Sequence, residues 1–311
     1  MKVIYGIGKI KKRIKKSVLA IGVFDGLHIG HQTLVKKAVD KANTIQGKSV
    51  VLTFWPHPVH VLRPEQSLPL IVSLRHRLKL LEKLGVALCV VVQFTKKFAK
   101  ISPEKFVKDY LVKWFDVKEI FVGDDFRFGQ NREGTIDLFK ELGKKYHFYV
   151  HPVHPVKEGN GKIGSSQIRS LIEQGRLKKA AYLLGRPVSV LGKVVRGDGR
   201  GKSLGYPTAN LSPVEEILPP RGVYAVRVEI KGKIYDGMSN IGYKPSFNTT
   251  KQVLSVEVYV FNFSRNIYGQ EIEIKFISLM RREKTFLLVG QLIAQLKRDE
   301  IKARALLKTL P

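Results

Sequence analysis

The sequence predicts two domains of different class: an α/β domain built on a parallel sheet over residues 1–185, and a small antiparallel β-barrel capped by a helix over residues 186–311. Three observations lead to this prediction. Up to about residue 184, short apolar runs alternate with amphipathic helical stretches, which is typical of βαβ units. Beyond Gly185-Arg186-Pro187, segments of alternating polarity follow one another through glycine-rich turns. A final stretch has apolar residues at helical spacing.

In the first domain, apolar runs at residues 17–21, 49–54, 86–94, 119–123 and 146–150 predict strands, and residues 74–84, 103–115 and 135–142 predict helices. Ligands of such sheets bind at the carboxyl ends of the strands. The sequence GVFDGLHIGH, residues 22–31, lies at such an end, between the first strand and a helix. It lacks G-x-G-x-x-G, so a dinucleotide-dependent oxidoreductase is poorly supported.

His28 and His31 are three residues apart, so they share a face on the first helical turn. Two imidazoles beside the free N–H groups of a helix start can hold phosphates and stabilise charge on the one under attack. This H-x-G-H pattern is typical of nucleotidyl transfer. The competing interpretations are a structural polar contact and a metal site, because His57/His60 and His151/His154 repeat the spacing. Flanking prolines should keep those pairs out of a regular helix, and no Cys or carboxylate cluster completes a zinc set.

The net charge is +29, which predicts attraction to polyanions such as nucleic acid, an anionic membrane or phosphorylated small molecules. The lysines are scattered, apart from a cluster at residues 11–16, and solvated surface is the simpler interpretation of them. The single cysteine, Cys89, excludes an internal disulfide and indicates a reducing compartment. There is no signal-peptide pattern and no run of membrane-spanning length, so we expect a cytoplasmic protein.

Two further loops of the first domain carry chemical groups. The sequence GDDFRFG, residues 123–129, follows a strand and offers aromatic rings, an arginine and adjacent acids to a flat heteroaromatic ligand. Ser165, Ser166 and Arg169 open another amphipathic helix. They form either a simple helix cap or a phosphate clamp.

In the second domain, residues 188–195, 223–230, 234–240, 254–261 and 271–277 predict strands, and residues 286–307 predict the capping helix. The glycine-rich, basic loop at residues 196–205 can bind an anion through its amides. Thr208 and Asn210 point the same way in an extended chain, where their oxygens suit a hard cation. Glu257 on its own is a solvent-facing strand residue, and it is a candidate base only beside that loop.

Five motifs in order resemble the prokaryotic bifunctional riboflavin kinase/FAD synthetase family: GVFDGLHIGHQ at 22–32, GDDFRFG at 123–129, GYPTAN at 205–210, NIGYKPSF at 240–247 and RREKTF at 281–286. The resemblance implies a Rossmann-like FMN adenylyltransferase domain followed by a β-barrel riboflavin kinase domain. For the first, it implies ATP binding by Gly22, Phe24, Asp25, His28, Gly30, His31, Ser165, Ser166 and Arg169, with His28 and His31 catalytic. It also implies flavin binding there by Asp125, Phe126, Arg127 and Phe128.

For the kinase, the resemblance implies ATP and Mg²⁺ binding by Gly197, Gly199, Lys202, Gly205, Pro207, Thr208 and Asn210, with Thr208 and Asn210 nearest the metal. It implies flavin binding by Arg281, Glu283 and Phe286, with Glu257 as the catalytic base. The expected function is phosphorylation of riboflavin to FMN, then adenylylation of FMN to FAD, with ATP as co-substrate and Mg²⁺ as cofactor. The chain should act as a monomer or homo-oligomer, with neither nucleic acid nor membrane. The alternatives are an RNA-directed nucleotidyltransferase and a flavin-binding regulator with degenerate sites.

Overall fold

The structure is a computed structural model that describes residues 1–66, 68–158, 161–197, 199–212, 214–244 and 253–309. The chain forms two compact units. The first comprises Met1–Leu68 and Leu74–Gly164, and the second comprises Pro69–Ser73 and Ser165–Pro311. The helices over residues 165–184 therefore group with the barrel by their contacts.

The first unit is an α/β structure. Its strands are β1 (Lys2–Tyr5), β2 (Ile14–Ile21), β3 (Lys48–Trp55), β4 (Leu88–Gln93), β5 (Phe115–Gly123) and β6 (Tyr149–Val153), with a short hairpin of β7 (Lys157–Glu158) and β8 (Gly161–Lys162). Its helices are α1 (Ile29–Thr44), α2 (Pro58–Leu62), α3 (Leu74–Lys83), α4 (Lys96–Ala99), α5 (Pro103–Phe106) and α6 (Ile136–Tyr146).

The six main strands form one parallel sheet in the order β1-β4-β3-β2-β5-β6, which confirms the predicted parallel sheet. The central strands β2 and β3 are buried on both faces, as their continuous apolar sequences require. The reversal of strand order about β2 places the turn before α1 at the carboxyl edge, where ligands bind in open α/β sheets.

Some predicted boundaries are wrong. Helix α6 continues to Tyr146 and ends at the left-handed His147, so β6 begins at Tyr149 rather than at residue 146. Helix α5 continues as a π-helix over Val107–Val112, and β5 already begins at Phe115. The prolines near His57 do not exclude a helix, because Pro58 takes the first position of α2, where the missing N–H does no harm.

The second unit contains α7 (Ser165–Glu173), α8 (Leu177–Leu184), β9 (Val188–Val195), α9 (Arg200–Ser203), β10 (Ala209–Leu211), β11 (Gly222–Ile230), β12 (Lys233–Lys244), β13 (Val253–Val260), β14 (Glu271–Arg281) and α10 (Val289–Thr309). The six strands close into an antiparallel barrel in the order β10-β13-β12-β11-β14-β9, which confirms the predicted barrel. Helix α10 packs on it through Ala303 and Leu307, in one apolar cluster with Val223, Ala225 and Met238.

A five-residue segment from the first half of the sequence is also part of this unit. The backbone N–H of Ile217 donates to the carbonyl oxygen of Leu70 at 2.7 Å. The buried carboxylate of Glu216 accepts from the N–H and the hydroxyl of Ser73 at 2.9 and 2.8 Å, and from the N–H of Leu191 at 2.7 Å. Residues 69–73 are thus fixed to the barrel by backbone pairing and by one buried acid.

Candidate functional site

The turn between β2 and α1 holds an unusual backbone conformation. Phe24 and Leu27 have φ angles of 55° and 41°, in the left-handed region that residues with a side chain rarely adopt. The Phe24 ring packs on Gly22, where a Cβ atom would lie 3.0 Å from the ring carbon Cζ. Asp25 is buried inside the turn. Packing therefore fixes the shape of the turn without help from a ligand.

His28 and His31 come together at the start of α1. The Nδ1 atom of His28 accepts a hydrogen bond from the backbone N–H of His31 at 3.4 Å. The two imidazoles stack with ring centroids 3.7 Å apart, as their spacing predicts. Burial lowers the pKa of His31 well below its usual value, and His28 and Arg77 lower it further by charge repulsion. The Nδ1 atom of His31 is buried and has no hydrogen-bond partner among the described residues, so a ligand can satisfy it.

A cavity of about 760 Å³ opens beside this turn within the first unit. Its walls combine Gly22 with aromatic rings and with the whole predicted flavin segment: Phe54, Phe94, Phe98, Phe106, Asp125, Phe126, Arg127 and Phe128. The rings of Phe126 and Phe128 stack with centroids 5.7 Å apart, and Phe128 also packs on Phe139. A large cavity with aromatic walls and a few charged groups at its edge suits a flat heteroaromatic ligand with a charged tail.

Ser165, Ser166 and Arg169 lie on α7, in the second unit, whereas the other predicted ATP contacts of the adenylyltransferase lie in the first. The Arg169 side chain is buried, and its Nε donates to the carbonyl oxygen of Pro69 at 2.9 Å. Arg169 therefore helps to hold the inserted segment 69–73 within its own unit.

The glycine-rich loop of the second unit lies against the predicted cation ligands. A Cβ atom at Gly197 would stand 2.2 Å from the Asn210 amide nitrogen, and one at Gly201 would stand 3.2 Å from the Thr208 hydroxyl. Gly199 and Gly205 adopt φ angles of 74° and 81°, which favour glycine. The loop thus needs glycine for close approach at two positions and for backbone shape at two others. The side chain of Lys202, predicted to bind ATP, lies outside the described residues, as do residues 245–247 of the predicted NIGYKPSF motif.

Glu257 stands in the middle of a row of polar side chains across three strands. Asn210 of β10 and Asn240 of β12 are its direct partners in the strand register. Directly opposed residues point to the same side of the sheet. The Thr208 hydroxyl donates to Glu257 Oε2 at 3.4 Å. Val256, Val258 and Val260 are buried on the opposite face, so the polar side of β13 is the one that carries Glu257, as the alternation predicts.

A second cavity, of about 330 Å³, adjoins Thr208. It is lined by Pro207 and Thr208, by Val258 and Val260 of β13, and by residues 263–268 of the loop that follows. Val258 and Val260 belong to the face of β13 opposite Glu257, so the apolar part of this lining comes from the other side of the strand.

The predicted flavin residues of the barrel lie at the end of β14 and just after it. Arg281 forms a two-point ion pair with the buried Asp299 of α10, with nitrogen–oxygen distances of 2.8–3.1 Å, and its guanidinium lies 5.9 Å from the Phe286 ring centre. Glu283 Oε2 is 3.7 Å from Arg221, and a Cβ atom at Gly242 would stand 2.1 Å from Glu283 Oε1. The segment is therefore paired with α10 through Arg281, and Glu283 lies close to Gly242 of β12.

Family models match both units in order. A model described as FAD synthetase covers residues 10–167, and one described as riboflavin kinase covers residues 184–307. Among curated proteins, the bifunctional riboflavin kinase/FMN adenylyltransferase of Listeria monocytogenes is 40% identical over 93% of this chain and 91% of its own. The chain belongs to the bifunctional riboflavin kinase/FMN adenylyltransferase family. The resemblance stated from the five motifs is thereby confirmed.

Other members of the family match over nearly the whole chain. The bifunctional riboflavin kinase/FMN adenylyltransferase of Bacillus subtilis is 37% identical over 94% of this chain and 93% of its own. A crystal structure from Streptococcus pneumoniae, titled a macrolide-efflux protein, is 32% identical, covers 98% of this chain and 99% of that one, and superposes with a TM-score of 0.83. Its title differs from the descriptions of the family models and curated relatives, which agree with one another. None of the described helices combines the length and hydropathy that crossing a membrane requires.

Two residues that were not predicted from the sequence lie close to predicted site residues. Arg77 of α3 is completely buried near the His28–His31 turn. Its position in the sequence was a signal, because Arg77, Leu80 and Leu81 lie at helical spacing on the buried face of α3. Asn240 stands within a recognised motif, but only the strand register reveals that it faces Glu257.

Proposed function

We propose that this chain makes FAD from riboflavin in two ATP-dependent steps, with the barrel as the riboflavin kinase and the parallel-sheet unit as the core of the FMN adenylyltransferase. The observation that carries the proposal is the strand register that puts Asn210, Glu257 and Asn240 in one row beside the glycine-rich loop. A candidate base, candidate cation ligands and an anion-binding loop thus lie together. The matches to both family models support the same two reactions and do not favour an RNA-directed enzyme or a regulator with degenerate sites.

In the kinase step, the terminal ribityl hydroxyl of riboflavin attacks the γ-phosphorus of ATP, and the bond to the bridging β–γ oxygen breaks to release ADP. Glu257 is the group that orients this hydroxyl and accepts its proton. The hydrogen bond from Thr208 to Glu257 fixes the carboxylate, and the amides of the glycine-rich loop hold the phosphates.

Mg²⁺ fits the same place in the barrel. The Thr208 hydroxyl and the Asn210 amide oxygen, beside the Glu257 carboxylate, provide oxygen ligands of the kind that this hard cation prefers. We therefore propose that Thr208 and Asn210 hold Mg²⁺ together with the ATP phosphates, where the ion would neutralise charge on the transferred group. Among the described residues, no group of three or more His, Cys, Asp or Glu side chains is placed to hold a metal ion.

In the adenylyl transfer, a phosphate oxygen of FMN attacks the α-phosphorus of ATP and pyrophosphate leaves. FMN supplies the nucleophile, so the protein has to align the two phosphates and stabilise charge. We assign these tasks to the His28–His31 turn and the amides that open α1, with Gly22, Phe24, Asp25 and Gly30 shaping the turn. The 760 Å³ aromatic cavity receives the flavin of FMN, with Asp125, Phe126, Arg127 and Phe128 at its wall. Ser165, Ser166 and Arg169 remain proposed ATP contacts from the resemblance alone.

One experiment tests both assignments on the same chain. Glu257→Gln retains size and one acceptor oxygen but cannot take up a proton. We expect it to lose riboflavin phosphorylation by about a hundredfold or more and to convert supplied FMN to FAD at the parental rate. The double variant His28→Ala, His31→Ala should have the opposite effect: FAD formation from FMN is reduced roughly a hundredfold, and FMN formation from riboflavin is unchanged.

Chromatography of FMN and FAD, after incubation with ATP, Mg²⁺ and either riboflavin or FMN, measures both rates. Glu215→Gln and His147→Asn are matched controls, because both residues are exposed and each change preserves local geometry. Should Glu257→Gln make FMN at the parental rate, Glu257 is an ordinary strand residue. Should either variant lose both activities while folded, the two sites are not separate.

A cytoplasmic location stays a proposal and rests on the single cysteine, Cys89, which is buried and free.

A further inference from the structure

Helix α3 buries an arginine in the interior of the first unit. Arg77 is 0% exposed, although the helix is short and carries other basic residues on its outer side. Long cationic side chains are almost never fully buried unless they are paired. Here, burial lowers the pKa of the guanidinium and the nearby Asp25 carboxylate opposes that effect, so Asp25 is the main negative charge acting on it. An arginine stays charged in proteins even so.

The hydrogen bonds of Arg77 lead to the turn that carries His28 and His31. Its Nη1 atom donates to the Thr53 hydroxyl at 3.3 Å and to the carbonyl oxygen of Phe54 at 3.4 Å, both near the carboxyl end of β3. The Thr53 hydroxyl in turn donates to the carbonyl oxygen of Val23 at 3.1 Å. Arg77 is therefore connected, through one hydroxyl, to the backbone just before Phe24.

The rest of the guanidinium is left without hydrogen bonds. The Nε and Nη2 atoms of Arg77 are buried, and neither has a partner among the described residues. A buried N–H group without an acceptor is costly, and a buried charge more so. Arg77 is thus poorly suited to stabilising the fold, which points to a role in binding or catalysis.

The electrostatics of the turn suggest what that role is. Burial, the stacked ring of His28 and the charge of Arg77 all lower the pKa of His31, so the imidazole is neutral near pH 7. A triphosphate nevertheless needs positive charge opposite it. Two charged groups act on His31: the titratable His28 at the start of α1, and Arg77, which is a fixed cation. Asp25 in the turn is a titratable group that acts on Arg77.

We propose that Arg77 is a positioning residue of the adenylyltransferase site: it tethers the turn through Thr53 and provides permanent positive charge behind the two histidines for the triphosphate of ATP. This inference rests on the proposed function of the turn. It concerns a residue that does not touch the reacting atoms.

The test compares Arg77→Met with Arg77→Lys in the full chain. Arg77→Met should lower kcat/KM for ATP in FAD formation by about tenfold or more, because a buried electrostatic donor is lost. It should also melt lower, because the buried Asp25 carboxylate loses a nearby positive charge, so rates are compared per folded molecule. Arg77→Lys, which keeps the charge, should remain within about threefold of the parent. Arg75→Met, two residues away on the exposed side of α3, is the control, and riboflavin phosphorylation should be unchanged in all three variants.

A nuclear magnetic resonance titration of His31 gives a readout that a structural role would not move. In Arg77→Met the pKa of His31 should rise, because a repelling positive charge is removed. The inference is overturned if Arg77→Met melts lower but makes FAD at the parental rate per folded molecule, or if methionine and lysine reduce the rate equally. The proposed function fails separately, if His28→Ala with His31→Ala still makes FAD at the parental rate.

Discussion

Removing one negative charge from the barrel's helical cap should destabilise the second unit strongly. Asp299 of α10 is 3% exposed, and its carboxylate accepts from Arg281 Nε at 2.9 and 3.1 Å, from Arg281 Nη2 at 2.8 Å and from Gln295 at 2.8 Å. Asp299→Asn replaces one acceptor oxygen with a donor that opposes the guanidinium. Breaking one side of a buried ion pair costs about 3–5 kcal/mol, since the other charge stays buried without its partner.

For a unit of this size, about 3 kcal/mol corresponds to a fall of roughly 6–12 °C in melting temperature. Differential scanning calorimetry of the full chain measures it. Asp236→Asn is the matched control, because the Asp236–Arg227 pair is 3.8 Å long and its carboxylate is 46% exposed, so its loss should change stability by at most about 1 kcal/mol. If Asp299→Asn lowers the melting temperature no more than Asp236→Asn does, the Arg281–Asp299 pair does not hold α10 on the barrel.

Three further changes test other features. In Gly197→Ala the new Cβ atom would stand 2.2 Å from the Asn210 amide, so KM for ATP in riboflavin phosphorylation should rise about tenfold or more, while supplied FMN is adenylylated normally. If the variant and the parent have equal KM values for ATP, the loop does not position the Asn210 amide. Burial raises the pKa of the Cys89 thiol to about 12, so at pH 9 iodoacetamide should modify this thiol only after the protein unfolds, and rapid labelling of the native protein would contradict this. The free energy of unfolding should also fall between pH 9 and 12, because in that range only the thiol of the unfolded chain ionises. A fragment of residues 165–311 should unfold at higher urea concentration than one of residues 186–311, because α7 and α8 group with the barrel; identical midpoints would show that these helices add nothing.

The repeating pattern of the chain was sufficient to predict both architectures. Continuous apolar runs such as β2 and β3 are buried on both faces and read as parallel strands, and the alternation along β13 correctly separated Glu257 from its buried valine neighbours. The strands β1 and β10 were not predicted, since four and three residues are too few to show a period. The π-helix after α5 was missed for a related reason, because one wider turn leaves no mark on composition.

The relative placement of some predicted site residues follows from their spacing in the sequence. His28 and His31 stack because they are three residues apart, and Thr208 and Asn210 share a face because they are two apart. The positions of Asn240 and Arg77 could not be predicted in this way, because they depend on strand register and on burial. Family resemblance named the residues of motifs, but it did not show that Arg281 is paired with Asp299 or that Arg169 bonds to Pro69.

The inclusion of residues 69–73 in the second unit has a consequence for synthesis. Leu70, Ile71 and Val72 are buried in the folded protein, but the strand partner of Leu70, at Glu216 and Ile217, leaves the ribosome roughly 150 residues later, which is about 7–30 s at ordinary elongation rates. During that interval, the backbone of Leu70 cannot pair with Glu216 and Ile217, and the segment is not yet fixed to the barrel by this pairing. The same feature constrains engineering. A chimera in which the barrel is replaced by that of a relative has to take residues 69–73 from the same relative, although these residues lie within the sequence of the first unit.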